Sequence, residues 1–390
     1  MSFPVIPRSD PIRVVQVGAG GMGRNWIRVL TASPDVELVG LVDLNTDAAE
    51  AALADAGLTG VAVGTSVSEV AAATGAQAVI NVTIPAAHHP VNVEALFAGL
   101  PVLCEKPVAP TVAQGLSLAA AADVSGQLLM ISQSRRYYRT LAAFKDQLAN
   151  LGDVGVITTE FFKAPHFGGF REEMDHVLLV DMAIHQFDAV RYLLDRDPVS
   201  VYCEEFNPSW SWYDGDAAAT AVFEFDGGVR YVYTGSWCAD GLETSWNGSW
   251  RANAAGGSAS WDGENDPVVE RVAFPAGAAM SEADAVGAVD DAASAGQQTV
   301  SAEEIGGALA EFVNALRTGT VPSGEVHSNV YSLAMVEAAV LSSATGARVR
   351  IADVLESAYA QALSAERRAD VRAALEGWGS PLGIGALKAS

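Results

Sequence analysis

The chain has 390 residues, half of them hydrophobic and 18% charged, which excludes a disordered chain and suits two folded domains of roughly 150 residues each. Its 23 Lys and Arg against 47 Asp and Glu leave a net charge of -24, which argues against nucleic acid and membrane partners and reads as a device for solubility. Cys104, Cys203 and Cys238 are odd in number and not paired in spacing, and no apolar run reaches the roughly 20 residues of a membrane span. With no apolar signal core in Met1–Pro11, a reduced, cytoplasmic protein is expected.

Ile12–Val17 reads as an apolar strand, followed by a glycine turn and a helix through Trp26 and Leu30. Val36–Val42 is the next strand, and Thr46 is placed to cap a helix over Asp47–Ala56. Strands at Val61–Val63, Ala78–Val82, Val102–Cys104 and Leu128–Ile131 alternate with helical segments near Ser66–Ala73, Pro90–Phe97 and Thr111–Ala122. Strands apolar on both faces and separated by helices predict a doubly wound parallel α/β sheet.

From about Ser134 the pattern changes. A helix over Thr140–Leu148 leads to a strand over Val154–Phe162, the polar loop Lys163–Arg171 and a long helix over Val177–Leu194. Closely spaced β-rich runs follow at Val199–Glu205, Ala218–Phe225, Gly228–Trp237, Ser249–Ala255 and Ala259–Asp262. They predict an open, mainly antiparallel sheet, so this half is α+β. Pro275–Gln298 reads as a surface excursion, helices return at Ala302–Arg317 and Ser328–Ala344, and the tail carries one more amphipathic helix.

The segment Val14-Val15-Gln16-Val17-Gly18-Ala19-Gly20-Gly21-Met22-Gly23 fits G-x-G-x-x-G at Gly18, Gly20 and Gly23, with Gly21 and Met22 between the last two. Gly18 permits the tight turn, Gly20 lets backbone approach a pyrophosphate, and Gly23 lets the helix pack on the strand. The pyrophosphate would sit over free N–H groups at the helix N-terminus. Asp43 stands 20 residues beyond Gly23, at the end of the second strand, where it can accept from ribose hydroxyls. A carboxylate there repels the extra phosphate of NADP, so NAD is the expected cofactor; the plainer alternative is a solvated strand end. The expected partition is 1–133 for this Rossmann domain, 134–353 for an α+β substrate and oligomerisation domain, and 354–390 for a helical extension.

Two further clusters carry chemistry. Leu103-Cys104-Glu105-Lys106-Pro107 puts Lys106 directly after a buried strand, at the carboxyl edge where such sheets bind ligands. Asp181 and His185 are spaced i, i+4 on the long helix, so they share a face. A carboxylate beside an imidazole fixes its tautomer and raises its basicity, as a base that takes a hydroxyl proton requires. The plainer alternatives are a surface lysine and a satisfied helix histidine. Cys104 reads as a buried small hydrophobe, and neither histidines nor cysteines show metal-ligand spacing, so no metal is expected.

These residues together resemble the Gfo/Idh/MocA family from about Ile12 to Ile351, with the glycine loop, Glu105-Lys106-Pro107 and Asp-x-x-x-His in the family's order. The resemblance implies that Lys106 lies near the nicotinamide and the reacting oxygen, with Glu105 beside it at the cofactor. It implies that His185 is the acid/base, that Asp181 positions substrate or histidine, and that the Lys106–Pro107 bond is cis. In Thr83-Ile84-Pro85-Ala86-Ala87-His88-His89, Pro85 and His89 match the family's strand-four loop. They are expected on the nicotinamide side, with a helix-cap role as the alternative for His89. Arg135, Arg136 and Tyr137 match a basic-aromatic stretch that faces the substrate in relatives.

One departure is Asp175-His176-Val177, where relatives usually carry glycines. His176 is either a second acid/base or an exposed loop residue. Lys163 and His166 border the expected substrate site, and Lys163, Arg135, Arg136 and Arg171 are candidates for clamping an anionic substrate group. Among Trp210, Trp212, Tyr213, Trp237, Trp246 and Trp250, one or two can stack on sugar C–H faces while most pack as core.

The leading expectation is an NAD-dependent dehydrogenase acting on a sugar, polyol or glycoside. The alternatives are a redox-neutral NAD-dependent glycoside hydrolase, for which His176 and His166 supply extra proton-transfer groups, and a catalytically silent sensor. A homo-oligomer, dimer or tetramer, is expected by likeness.

Overall fold

The computed structural model describes residues 3–7, 10–272 and 302–381. The expected excursion at Pro275–Gln298 and the end of the tail lie outside them. The first third alternates β1 (Ile12–Val17), α1 (Gly21–Ala32), β2 (Val36–Val42), α2 (Thr46–Asp55), β3 (Ala62–Gly64) and α3 (Val67–Thr74). It continues through β4 (Ala78–Asn81), α4 (Pro85–Phe97), β5 (Val102–Glu105), α5 (Val112–Ser125) and β6 (Leu129–Ser132). The six strands pair in parallel in the order β3-β2-β1-β4-β5-β6. The order reverses at β1 and β4, which makes their carboxyl ends the topological switch point where such sheets take ligands. β4, β5 and β6 are buried along their whole length, as strands covered on both faces must be.

Next come α6 (Arg139–Leu151), β7 (Val154–Phe162), a wide π-type turn over Leu178–Ala183, and α7 (Ile184–Leu194). They are followed by β8 (Pro198–Phe206), β9 (Ala218–Phe225), β10 (Arg230–Ser236), β11 (Ser249–Ala254), β12 (Gly257–Trp261) and β13 (Val268–Arg271). The chain then runs through α8 (Glu304–Thr318), α9 (Val326–Thr345), β14 (Val349–Arg350), α10 (Ile351–Ala365) and α11 (Ala369–Trp378). The second sheet has the order β13-β12-β11-β7-β10-β9-β8-β14. It is antiparallel except where β7 pairs β10 in parallel. Its strands alternate buried and more exposed positions, so one face is covered and the other is open. Phe187 of α7 packs edge-on against Phe223, Tyr231 and Tyr233 on the covered face.

The chain divides into two compact units: residues 1–134, 302–333 and 355–390, and residues 135–301 and 334–354. This grouping differs from the linear partition 1–133, 134–353 and 354–390. Α segment after the second sheet, containing α8 and the start of α9, returns to the first unit because its apolar face packs there, as does α11 against α5. The tail holds two helices where the sequence suggested one, since Glu366–Arg368 interrupts the helical path. α4 begins at Pro85 rather than near Pro90: Pro85 takes the first helical position, where a missing N–H costs nothing.

Candidate functional site

In the first unit the site is built on the β1–α1 turn. Gly18 has φ +103°, and a Cβ there would lie 2.6 Å from the Val82 carbonyl oxygen. A Cβ on Gly23 would collide with the Gly18 carbonyl, so helix and turn touch backbone to backbone. Gly20 and Gly21 behave differently: a Cβ on either meets no described heavy atom within 4 Å. Nothing within the described chain demands glycine at these two places, and the space in front of them suits a group that approaches the backbone closely. No side chain among the described residues caps α1, leaving its first amides for an anion. These features fit a dinucleotide pyrophosphate.

Asp43 follows β2, partly exposed. Its Oδ2 accepts from Ala19 N at 2.8 Å and its Oδ1 from Asn45 N at 2.9 Å. Both bonds fix the carboxylate beside the glycine turn, and each oxygen keeps a lone pair for a ribose hydroxyl. Met22, Leu44 and Ile84 are exposed apolar side chains on the segments that follow β1, β2 and β4. Gln16 is a residue that sequence reasoning missed. Fully buried in β1, its Nε2 donates to the Gly18 carbonyl at 2.8 Å and to the Gly23 carbonyl at 2.9 Å, bracing the turn. The signal was a polar residue inside an apolar strand.

Glu105 ends β5, buried. Trp26 Nε1 donates to its Oε1 at 2.8 Å, and the Lys106 amide donates to its Oε2 at 3.2 Å. Burial pushes its carboxyl up, against the pull of the Trp26 hydrogen bond and the Lys106 charge. Glu105 thus joins α1 to the Lys106 turn, and the Lys106–Pro107 bond is cis, as the resemblance implied. Pro85 opens α4 beside this turn's neighbour strand. His89 lies 3.0 Å by its Nε2 from Ser117 Oγ of α5, whose hydroxyl donates to Glu366 at 2.6 Å. The histidine that reaches the Lys106 turn is His88. It is buried, with Nδ1 2.6 Å from the Pro107 carbonyl and Nε2 3.0 Å from that of Thr83. Burial lowers its pKa, the two carbonyls oppose that, and the Lys106 charge adds to the lowering. One residue along a helix turns a side chain by about 100°, which separates the two roles.

The second unit holds the remaining candidates. His185 is buried in the first turn of α7. Asp181 lies on the π-type turn before it, not on a continuous α-helix, so the i, i+4 reading of a shared face does not apply unchanged. Asp181 Oδ2 accepts from Arg171 Nε at 2.6 Å. Arg136, expected to face substrate, is buried instead, and its Nε and Nη2 each donate at 2.7 Å to the Asp188 carboxylate. That two-pronged pair occupies its fork and makes it a brace for α7. Tyr137 closes the short 3-10 turn Ser134–Tyr137 and is half-buried.

Lys163 Nζ bonds Glu243 Oε2 at 2.8 Å and lies 5.3 Å from the Trp246 ring centre. Glu243 neutralises much of its charge, which weakens the case for an anion clamp at Lys163. His166 stacks on Trp212 with ring centres 3.8 Å apart. His176 is half-exposed, and its Nδ1 lies 2.7 Å from Oε2 of the buried Glu205. Burial and then the Asp216 charge push the Glu205 carboxyl up to about 8. Sequence reasoning missed Glu205 and Asp216 because they lie 29 and 40 residues beyond His176. Cys104, Cys203 and Cys238 are free and buried.

Residues 12–133 match the family model described as oxidoreductase family, NAD-binding Rossmann fold, and residues 149–260 match the GFO/IDH/MocA C-terminal domain. The two together take in more than half of the chain, which belongs to the Gfo/Idh/MocA oxidoreductase family, and its first unit carries the NAD-binding domain. The chain is 31% identical over 205 residues to inositol 2-dehydrogenase of Streptomyces avermitilis, a match covering 52% of this chain and 58% of that one. It is 28% identical over 190 residues to 1,5-anhydro-D-fructose reductase of Ensifer adhaerens, covering 47% and 56%. The chain thus spans little more than half the length of these two curated relatives. Its fold is shared with an oxidoreductase from Agrobacterium radiobacter crystallised with NAD+, L-tartaric acid and magnesium, with TM-score 0.73, 18% identity, and coverage of 87% and 98%. No helix among the described residues is long and apolar enough to cross a membrane.

Proposed function

We propose that the protein transfers a hydride between NAD and a hydroxyl-bearing carbon of a sugar, polyol or glycoside. The observation that carries this reading is the open backbone at Gly20 and Gly21, above the uncapped start of α1 and beside the fixed carboxylate of Asp43. NAD, when bound there, supplies a two-electron hydride acceptor. Its adenosine ribose is taken by Asp43, and its phosphates by the amides of the turn. By its likeness to the family, His185 is assigned the hydroxyl proton and Asp181, itself fixed by Arg171, the positioning of substrate or histidine, while Lys106 is assigned to the nicotinamide. Glu105 and His88 hold the Lys106 turn in shape. Relatives named as inositol dehydrogenases and an anhydrofructose reductase support a polyol or sugar as the substrate class.

A second reading is redox-neutral glycoside hydrolysis through oxidation, elimination, water addition and reduction. The His176–Glu205 pair favours it, because such a sequence needs a further proton-transfer group. The same proposal includes a homo-oligomer formed through the open sheet face, checked by light scattering, where a monomer at working concentration would remove that part.

The purified protein with NAD is screened against polyols, aldoses, sugar acids and aryl glycosides, following NADH and released aglycone together. Stoichiometric NADH without bond cleavage is the expected result. Aglycone release that needs NAD but accumulates no NADH replaces the first reading with the second. No turnover of any class sinks both.

A further inference from the structure

His176, Glu205 and Asp216 come from three separate stretches of the second unit, yet each offers a ligand atom and these atoms all lie within 4.8 Å of one another. Backbone bonds enforce the meeting. Asp216 N donates to the Asp175 carbonyl at 2.8 Å, and Asp214 N donates to the Glu172 carbonyl at 2.8 Å. Gly215 between them leaves no room for a side chain, since a Cβ would strike the carbonyls of Met174 and Asp175. Glu205 is held from the other side, where its amide donates to Ser343 Oγ at 3.0 Å.

The Glu205 side chain is 0% exposed, with Oε2 on His176 and Oε1 lacking a hydrogen-bond partner among the described residues. A buried carboxylate with an unsatisfied oxygen, facing a second carboxylate, is costly unless a positive charge joins it. A half-exposed imidazole supplies a nitrogen donor and a way in from solvent. One nitrogen and two carboxylates make a three-ligand set, the number found where a metal keeps a position open. The mixed set suits borderline first-row cations; magnesium and calcium favour oxygen alone.

We propose that His176, Glu205 and Asp216 bind one first-row divalent cation of the zinc class, with a coordination position left for water or a substrate oxygen. Binding replaces the His176–Glu205 hydrogen bond with two metal bonds and gives the unsatisfied Glu205 oxygen a partner. The site requires neither NAD nor hydride transfer, so it stands or falls separately from the dehydrogenase reading above; a bound cation would take the His176–Glu205 pair away from the glycoside-hydrolase reading.

The full chain, stripped with a chelator, is titrated with Zn2+, Mn2+, Co2+ and Mg2+, with metal content and Co2+ visible absorption as readouts. One equivalent of Zn2+ and a Co2+ ligand-field spectrum are expected, with Mg2+ bound at least about tenfold more weakly. Glu205→Gln and Asp216→Asn should each weaken Zn2+ binding at least about tenfold while circular dichroism stays unchanged. If Glu205→Gln does not fold, Asp216→Asn on the partly exposed loop carries the comparison. Absence of bound Zn2+ in the wild type, or unchanged Zn2+ affinity in the folded variants, overturns the site.

Discussion

In the first unit the backbone does most of the positioning, whereas in the second the candidate side chains are held by other charged side chains. The β1–α1 turn is set by Gly18 and Gly23 touching main chain, by Gln16 donating to two carbonyls, and by Asp43 accepting from two amides. Around α7 the same work falls to Arg136–Asp188, Arg171–Asp181 and His176–Glu205. A backbone-built site tolerates change in side chains and fails where a Cβ intrudes. A site built from ion pairs fails when either partner is removed, because the other is left charged and unsatisfied.

The largest effect therefore belongs to the second unit. Asp188→Ala leaves the buried Arg136 guanidinium without its carboxylate and should cost about 3–5 kcal/mol in urea unfolding. A cost under about 1 kcal/mol would mean the pair does not brace α7. In the first unit Gly23→Ala forces a methyl against the Gly18 carbonyl and should cost up to about 3 kcal/mol. Gly20→Ala meets no described atom, so its stability should stay within about 0.5 kcal/mol of wild type while NAD affinity falls at least about tenfold. Equal losses of stability in the two variants would break the contrast between a structural and a ligand-facing glycine.

A smaller effect comes from a buried charge cluster in the first unit, away from the glycine turn. His327 lies between Glu325 (Nδ1 to Oε1 2.6 Å) and Asp123 (Nε2 to Oδ2 3.3 Å). Burial lowers its pKa, but the hydrogen bonds and charges of Asp123 and Glu325 outweigh burial and push it up to about 9. A raised pKa in the folded state means the contribution is complete below about pH 6.5 and lost as pH rises through about 9. Between pH 6 and 10 the wild type should lose roughly 1–3 kcal/mol that His327→Gln does not lose. Identical pH profiles for the two proteins would remove the cluster from the account.

Much of the cofactor-binding unit was legible because its signals are local. A glycine turn between a strand and a helix, with an acid 20 residues on, is a pattern of adjacent residues, and the parallel sheet around it follows from apolar runs of fixed length. The mainly antiparallel second sheet was also foreseeable, though not the parallel β7–β10 pair, which depends on long-range pairing. What stayed hidden depends on one-residue offsets and distant partners. His88 and His89 differ by one step along α4, and the step decides which reaches Pro107. Arg136 reads as a substrate-facing basic residue until Asp188, 52 positions away, is placed beside it. Glu205 and Asp216 carry no local motif, so a metal expectation built on spacing had nothing to find. The two-residue strand β14 is set by its pairing with β8 and has no periodic pattern of its own.

The most direct test of the division of labour is to measure NAD affinity and the rate of hydride transfer in the wild type and in His185→Ala, using the substrate found in the screen. The account predicts an NAD dissociation constant within about twofold of wild type and a transfer rate lower by about 10²–10⁴. A folded variant that transfers hydride at the wild-type rate, or that loses NAD affinity along with turnover, would contradict it.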